Sequence, residues 1–365
     1  MIPISKPIIG EEEKKLVREV LDSGMLAQGP KVKELEEKFA KFCGVNYAIA
    51  VNSGTAAIHA ALYAAGVKKD DEVITTPFTF VATANPIIMQ NAKVVFADIK
   101  EDTFNIDPES ILDKITPKTK AIIAVDLYGQ CADYQEIKKI AEENDLRIIE
   151  DSCQAINASL NNKKAGSFGD LAAFSLYATK NMTSGEGGII TTDNAEFMEL
   201  AKRFRHHGQS EQTRYEYHDL GYNYRMTDIH AAIALGQLEK IEEFTEKRIK
   251  NAKLLTAGLK DIEGIQVPFI KPNARHVFHQ YTIKLDKFKL SRNELIEHLK
   301  NNGIGCGIYY PKPLHLHPWF LKQGYKKGDF PIAEKLSEQV ISLPVHPSLS
   351  REEINFIVEI IKRKA

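Results

Sequence analysis

The chain has 365 residues, 43% apolar and 27% charged, the composition of a globular protein able to bury a sizeable core. Lys plus Arg number 48 against 49 for Asp plus Glu, a net charge of −1, which speaks against nucleic acid as the main partner because phosphate binding draws on a basic excess. No apolar run approaches the ~20 residues that span a bilayer, the opening MIPISKPIIGEEEKK lacks a secretory pattern, and Cys43, Cys131, Cys153 and Cys306 have no zinc or redox spacing, so the expectation is no membrane, no metal and a reducing cytoplasm.

In chain order, YAIAV (47–51) reads as a short buried strand and TAAIHAALYAAG (55–66) as the helix after it. EVITT (72–76) is a second strand-like run, followed by FVATANPIIMQ (80–90). VVFADI (94–99), AIIAVDLYG (121–129) and LRIIED (146–151) continue the series, with a helical DYQEIKKIAEEN (133–144) between the last two. Strands alternating with helices predict an α/β fold with a mostly parallel sheet, and continuous apolar strands fit a sheet covered on both faces. From Asp228 to about Gly258 the chain reads as one long helix. Beyond it come a strand-like HQYTIKL (279–285), a helix in SRNELIEHLKNNG (291–303) with Ser291 and Glu294 as a capping box, and a last helix after Ser350. This change of pattern predicts a large domain over residues 1–245 and a smaller C-terminal α+β domain over 246–365, with the N-terminal segment free to pack on the latter.

Three segments carry chemistry. In GDLAAFSLYATKNMTSGEGG (169–188) an apolar strand delivers Ser175 and then Lys180 into a glycine-rich turn. A lysine alone in a loop is a solvated charge. One at the mouth of a sheet, partly desolvated, can form a Schiff base with a carbonyl. In EDSCQA (150–155), Asp151 closes a strand, where parallel sheets place their ligands. Alone it reads as a helix cap. Some thirty residues before a strand-end lysine, it is also the acid that pyridoxal phosphate needs to keep its ring nitrogen protonated. In NSGTAA (52–57) a strand runs straight into a helix, and a glycine with hydroxyls at a helix N-terminus can hold a phosphate or simply cap the helix. No dinucleotide glycine pattern and no GK[ST] accompany it.

The sequence resembles the DegT/DnrJ/EryC1/StrS sugar aminotransferases, of the aspartate aminotransferase fold type I. The resemblance runs through SGMLAQGPKVKELEEKFAKFCGV (23–45), NSGTAAIHAAL (52–62), DEVITTPFTFVATANPI (71–87), VDLYGQ (125–130), EDSCQA, GSFGD (166–170), SLYATKNMTSGEGG (175–188), GYNYRMTDIHAAI (221–233) and SLPVHPSL (342–349). It departs slightly at Ser152 and Cys153, where alanines are common. The resemblance implies a large pyridoxal-phosphate domain, a cytoplasmic homodimer with shared active sites, and transfer of an amino group, with glutamate as donor, to a nucleotide-linked keto-sugar. It implies that Lys180 forms the Schiff base and moves the proton, that Asp151 pairs with the ring nitrogen, and that Gln154 bonds the ring hydroxyl. Phe80 is expected to stack on the ring, Gly54, Thr55 and Ser175 to hold the phosphate, and Asn223 to reach that phosphate from the neighbouring subunit. Arg225, Tyr309 and His315 are candidate substrate contacts. Members with histidine at the lysine position are dehydratases, so Lys180 favours transamination. Dehydration or epimerisation on the same cofactor, and a non-catalytic cofactor-binding regulator, are the alternatives.

Overall fold

The apolar runs of the first half become strands of one sheet: Tyr47–Val51 (β1), Glu72–Thr75 (β2), Lys93–Phe96 (β3), Thr119–Val125 (β4), Arg147–Asp151 (β5), Leu171–Ser175 (β6) and Gly188–Thr192 (β7). The computed structural model describes residues 1–210, 213 and 215–365. The strand order is β3-β2-β4-β5-β6-β7-β1. β7 runs antiparallel to both its neighbours, β6 and β1, and the pairs among β3, β2, β4, β5 and β6 are parallel. The register sets Val125 beside Asp151 and Asp151 beside Ala173. Gly188 lies opposite both Ser175 and Val51. The C-terminal ends of β1, β4, β5 and β6 therefore share one edge, the edge where α/β sheets bind ligands.

Among the described residues, eight helices of ten or more residues surround and extend this sheet: Glu11–Ser23 (α1), Pro30–Cys43 (α2), Gly54–Ala64 (α3), Tyr134–Glu143 (α4), Ala195–Arg205 (α5), Asp228–Leu259 (α6), Arg292–Asn301 (α7) and Arg351–Lys362 (α8). The middles of the central strands are apolar and buried because helices cover both faces of the sheet, and the polar residues fall at the strand ends. α3 is rich in alanine and almost wholly buried, which lets its backbone lie close to β6 and β7.

α6 has 32 residues, so it is about 48 Å long and serves two cores. Ala231, Ala234, Leu235 and Ile241 pack with Phe39 and Phe174 beside the large sheet. Ala252, Leu255 and Leu259 join a second core with Tyr281, Ile283 and Ile357. At its start the Asp228 carboxylate accepts from the amides of Gly29 (2.8 Å), Lys31 (3.1 Å) and Val32 (3.0 Å), capping α2 from far along the chain. Further on, Lys240 and Gln237 grip the buried Glu13 of α1.

The second core covers a three-stranded antiparallel sheet of Ile265–Gln266 (β8), Tyr281–Leu285 (β9) and Val340–Leu343 (β10). The N-terminal Ile2 bridges to Ile304 and enters this core. The Ser291–Glu294 capping box forms at the start of α7. Among the described residues, no helix is long and apolar enough to cross a membrane.

Candidate active site

β1 hands the chain to α3 within two residues. Ser53 caps the helix, its Oγ accepting from the Ala56 amide at 3.1 Å. The amides of Gly54 and Thr55 then have no partner among the described residues, as the first turn of any helix leaves them. They sit at the positive end of the helix, a natural anion site. Gly54 has no substitute here: a Cβ on it would lie 2.8 Å from Cβ of Ser175 and 3.1 Å from Sγ of Cys153. The bare backbone lets the start of α3 close on the end of β6, so Gly54, Thr55 and Ser175 form one cradle at the sheet edge.

That cradle opens into a cavity of about 700 Å³. Asp151, at the end of β5, is held on both carboxylate oxygens. Thr83 Oγ donates to Oδ2 at 2.6 Å and the Cys153 amide to Oδ1 at 3.3 Å. Thr83 pairs in turn with Thr79 at 2.9 Å. Lys180 follows β6 after a short turn and also lines the cavity, its Nζ without a hydrogen bond among the described residues. Burial pushes its pKa below the usual lysine value, opposed by Cys153 and Asp151. Gln154 is fixed at its carbonyl end, Oε1 accepting from the Tyr128 amide at 2.9 Å, while Nε2 donates to the Tyr310 hydroxyl at 3.2 Å. Phe80 is 59% exposed and stacks towards Tyr310, with ring centroids 6.3 Å apart and planes at 30°. Tyr309 shares the lining.

The remaining expected residues lie elsewhere. His315 is fully buried, its Nε2 2.9 Å from Glu334 Oε1 and its ring edge-on to Phe330. It does not line the cavity, so the expectation of a substrate contact is corrected: Glu334 turns the imidazole into the core. Arg225 lies in a second cavity of about 450 Å³ with Gln28, His206 and His207, its Nη1 2.5 Å from His206 Nδ1. Asn223 is exposed and its backbone carbonyl accepts from Asn52 Nδ2 at 3.3 Å. Neither residue lines the cavity of its own chain.

Several lining residues were not singled out from the sequence. Thr83 falls in a short 3₁₀ turn over Val81–Thr83, and nothing local marks its hydroxyl as the partner of Asp151. His279 follows the buried Phe278, and its Nδ1 lies 3.2 Å from Asn181 Oδ1. Arg248 of α6 looks in sequence like one more charge in EKRIK, yet it is 6% exposed and lines the same cavity.

Pyridoxal phosphate fits these residues. Gly54 leaves room where a Cβ would fill the cradle, two helix amides await an anion, an unpaired amine stands in the cavity, and a carboxylate is fixed at a strand end. Fold and site together define a pyridoxal-phosphate enzyme of the α/β type.

The comparisons with known proteins agree. The family model of the DegT/DnrJ/EryC1/StrS aminotransferases matches residues 7–362. A UDP-2-acetamido-2-deoxy-3-oxo-D-glucuronate aminotransferase of Pseudomonas aeruginosa is 38% identical over 93% of this chain and 92% of its own. A GDP-perosamine synthase of Vibrio cholerae is 34% identical over 99% of this chain and 98% of its own. Among solved structures, Spr1654 of Streptococcus pneumoniae in its PLP form superposes with a TM-score of 0.94 at 29% identity, covering 100% of this chain and 99% of that one. The chain belongs to the DegT/DnrJ/EryC1/StrS aminotransferase family, and pyridoxal phosphate is its cofactor.

Proposed function

We propose that the protein transfers an amino group from glutamate to a nucleotide-linked keto-sugar, giving a nucleotide amino-sugar for surface polysaccharide, glycan or antibiotic-sugar synthesis. One observation carries the reading: a half-buried, unpaired Lys180 amine and a fixed Asp151 carboxylate share one cavity with the α3 anion cradle. The nucleotide sugars named for the two relatives support the acceptor class. Tyr177, large and exposed beside the cavity, suits the flat face of a sugar or base.

Bound pyridoxal phosphate supplies a carbonyl for the donor's amine and a ring that withdraws electrons from the donor's Cα. The chain does the rest. Gly54 and Thr55 amides and the Ser175 hydroxyl hold the phosphate. Asp151, held by Thr83 and the Cys153 amide, would keep the proton on the ring nitrogen. Gln154 addresses the ring hydroxyl, and Phe80 covers a ring face. Once freed by the donor's amine, Lys180 Nζ would take the proton from the donor's Cα and pass it to the cofactor carbon that bears the transferred nitrogen; burial lowers its pKa, which favours the free amine that can act as base. The donor would leave as its 2-keto acid, and the same residues acting in reverse order would pass the amino group to the keto-sugar, whose carbonyl oxygen leaves as water.

The reading includes a homodimer. Asn223 is exposed and its side chain makes no hydrogen bond among the described residues, which suits a group lent to the cradle of a second copy. The test of the function is direct. The enzyme is converted to its amine form with glutamate and mixed with a panel of UDP-, dTDP- and GDP-linked 3-keto and 4-keto sugars. Return of the aldehyde-form absorbance with one of them is expected. An amine form that never arises with glutamate, or that no keto-sugar reverses, overturns the reading.

A further inference from the structure

Two acids lie beneath the strand ends that carry Asp151, and one serine stands between them. Asp126 follows β4, Glu150 precedes Asp151 on β5, and Ser152 follows it; all three are fully buried. Ser152 Oγ is 2.6 Å from Asp126 Oδ2 and 3.4 Å from Glu150 Oε2. The ionisable groups around the pair are Asp151, Tyr134, Cys43, Cys131 and Cys153, with the exposed Lys163 acting on Glu150 from outside. Burial pushes the phenol and the thiols up, so they stay neutral and balance no charge. Two neighbouring carboxylates out of water, with no buried cation beside them, do not both stay ionised.

The remaining partners show where the proton sits. A hydroxyl has a single proton to give, so Ser152 donates to one acid and accepts from the other. Glu150 accepts three amides, those of Phe168 and Gly169 on Oε1 and that of Gly166 on Oε2. Both its oxygens face donors, the setting of an ionised carboxylate. Asp126 Oδ1 accepts from the Ala132 amide and the Tyr134 hydroxyl, both at 2.9 Å, but Oδ2 meets Ser152 alone. Oδ2 is therefore the oxygen with room for a proton. From there it donates to Ser152 Oγ, and Ser152 donates on to Glu150.

This bridge fastens the parts that face the cofactor. Val125 pairs in register with Asp151, and the Asp126 amide donates to the Asp151 carbonyl at 3.0 Å. Through Ala132, Asp126 also closes the turn on which the Tyr128 amide holds Gln154 Oε1 at 2.9 Å. On the other side Ser152 is joined to Cys153, whose amide donates to Asp151 Oδ1. No role comes to Ser152 from the family resemblance, which departs at this position. We infer that Ser152 is a positioning residue for the cofactor ring: with a proton on Asp126 and a charge on Glu150, it clamps the ends of β4 and β5 so that Asp151 and Gln154 keep their places. The effect on turnover rests on the transfer reading; the clamp itself does not.

The test compares wild-type, Ser152→Ala and Asp126→Asn holoenzymes at neutral pH. Infrared difference spectra in H2O and D2O look for a protonated-carboxyl band. Absorbance of the bound cofactor, before any donor is added, reports the ring's contacts, and single-turnover conversion by L-glutamate is then followed over a range of concentrations. Asparagine offers an N–H where the acid offers an O–H, so Asp126→Asn should lose the carboxyl band yet keep the cofactor absorbance and a conversion rate close to wild type. Ser152→Ala leaves Asp126 Oδ2 without a partner. It should shift the carboxyl band and the cofactor absorbance, and slow conversion at saturating glutamate ~10-fold with little change in the half-saturating concentration. A carboxyl band that survives Asp126→Asn, a Ser152→Ala protein with wild-type cofactor absorbance and rate, or an Asp126→Asn loss as large as that of Ser152→Ala overturns the inference. A wild type inert toward glutamate overturns the transfer reading alone, and the infrared and cofactor spectra, which need no donor, still decide the clamp.

Discussion

Thr83→Val tests how the electron-withdrawing end of the site is held. Thr83 is 1% exposed, and its hydroxyl donates to Asp151 Oδ2 at 2.6 Å while pairing with Thr79. Valine nearly matches threonine in shape, so the change removes a bond and leaves little cavity. A hydrogen bond to a charged group is worth ~1.5–3 kcal/mol, and the cofactor-free protein is expected to lose about that much stability in denaturant titration at fixed protein concentration. The catalytic loss has a different origin. Without Thr83, Asp151 keeps only the longer 3.3 Å bond from the Cys153 amide and can turn about its side-chain torsion. A misplacement of about 1 Å in a catalytic group can cost ~100-fold, so kcat should fall ~10- to 100-fold while cofactor content stays near normal. Thr83→Ser restores the hydroxyl and should restore most of both quantities. A valine variant that loses stability but turns over at the wild-type rate would make the bond a structural detail. One unchanged in both would refute the reasoning outright.

Three further outcomes are expected. Lys180→Ala should retain the fold yet abolish amino transfer, and borohydride should no longer fix the cofactor to the chain; fixation on another lysine would overturn the assignment. Burial pushes Asp126 up to about 7 and Glu150 up to about 8, with their mutual repulsion adding to the rise at Glu150 and Ser152 bridging them at 2.6 and 3.4 Å. Raised folded-state values mean that the native protein binds more protons than the unfolded chain between the ordinary carboxylate range and about 8, so their contribution falls as pH rises through that window. Denaturant titrations at pH 5.5 and pH 8 should show Asp126→Asn flattening this fall, whereas an unchanged slope would remove the pair from the account. Finally, Lys180→Ala mixed with an Asn223→Ala, Arg225→Ala double variant should recover up to about half the wild-type activity per mixed dimer, because one of the two sites then draws only intact residues; no recovery despite demonstrated subunit exchange would place the whole site within one chain.

Much of the site was legible because it hangs on strand ends. Runs such as AIIAV and LAAF are continuous because both sheet faces are covered, and the polar residues that follow such runs, Asp151 and Ser175 among them, stand at strand ends beside the cavity. NSGTAA showed the strand-to-helix handover, and the long helix from Asp228 stands where its pattern started. What the sequence hid is the direction of side chains that answer to distant residues. His315 sits in a proline-rich loop close in sequence to Tyr309, yet Glu334 claims its imidazole for the core. Asp228 reads as the first residue of its own helix but spends its carboxylate on α2.

Arg248 shows the limit in its sharpest form. In EKRIK it is one of three cations within four residues, on a helix with acids before it that could pair with any of them. Lys247 does take such a partner, Glu243 at 2.6 Å, and both stay in water. Arg248 is one residue on, about 100° around the helix, which turns it from solvent to the cavity. Its neighbours there are Phe278 and His279, some thirty residues later, and neither brings a negative charge. The informative property is therefore a missing partner. A missing partner is a fact about everything folded around a residue, and no local pattern of letters can carry it. The folded chain can: it leaves Arg248 6% exposed with its Nε buried and without a partner among the described residues.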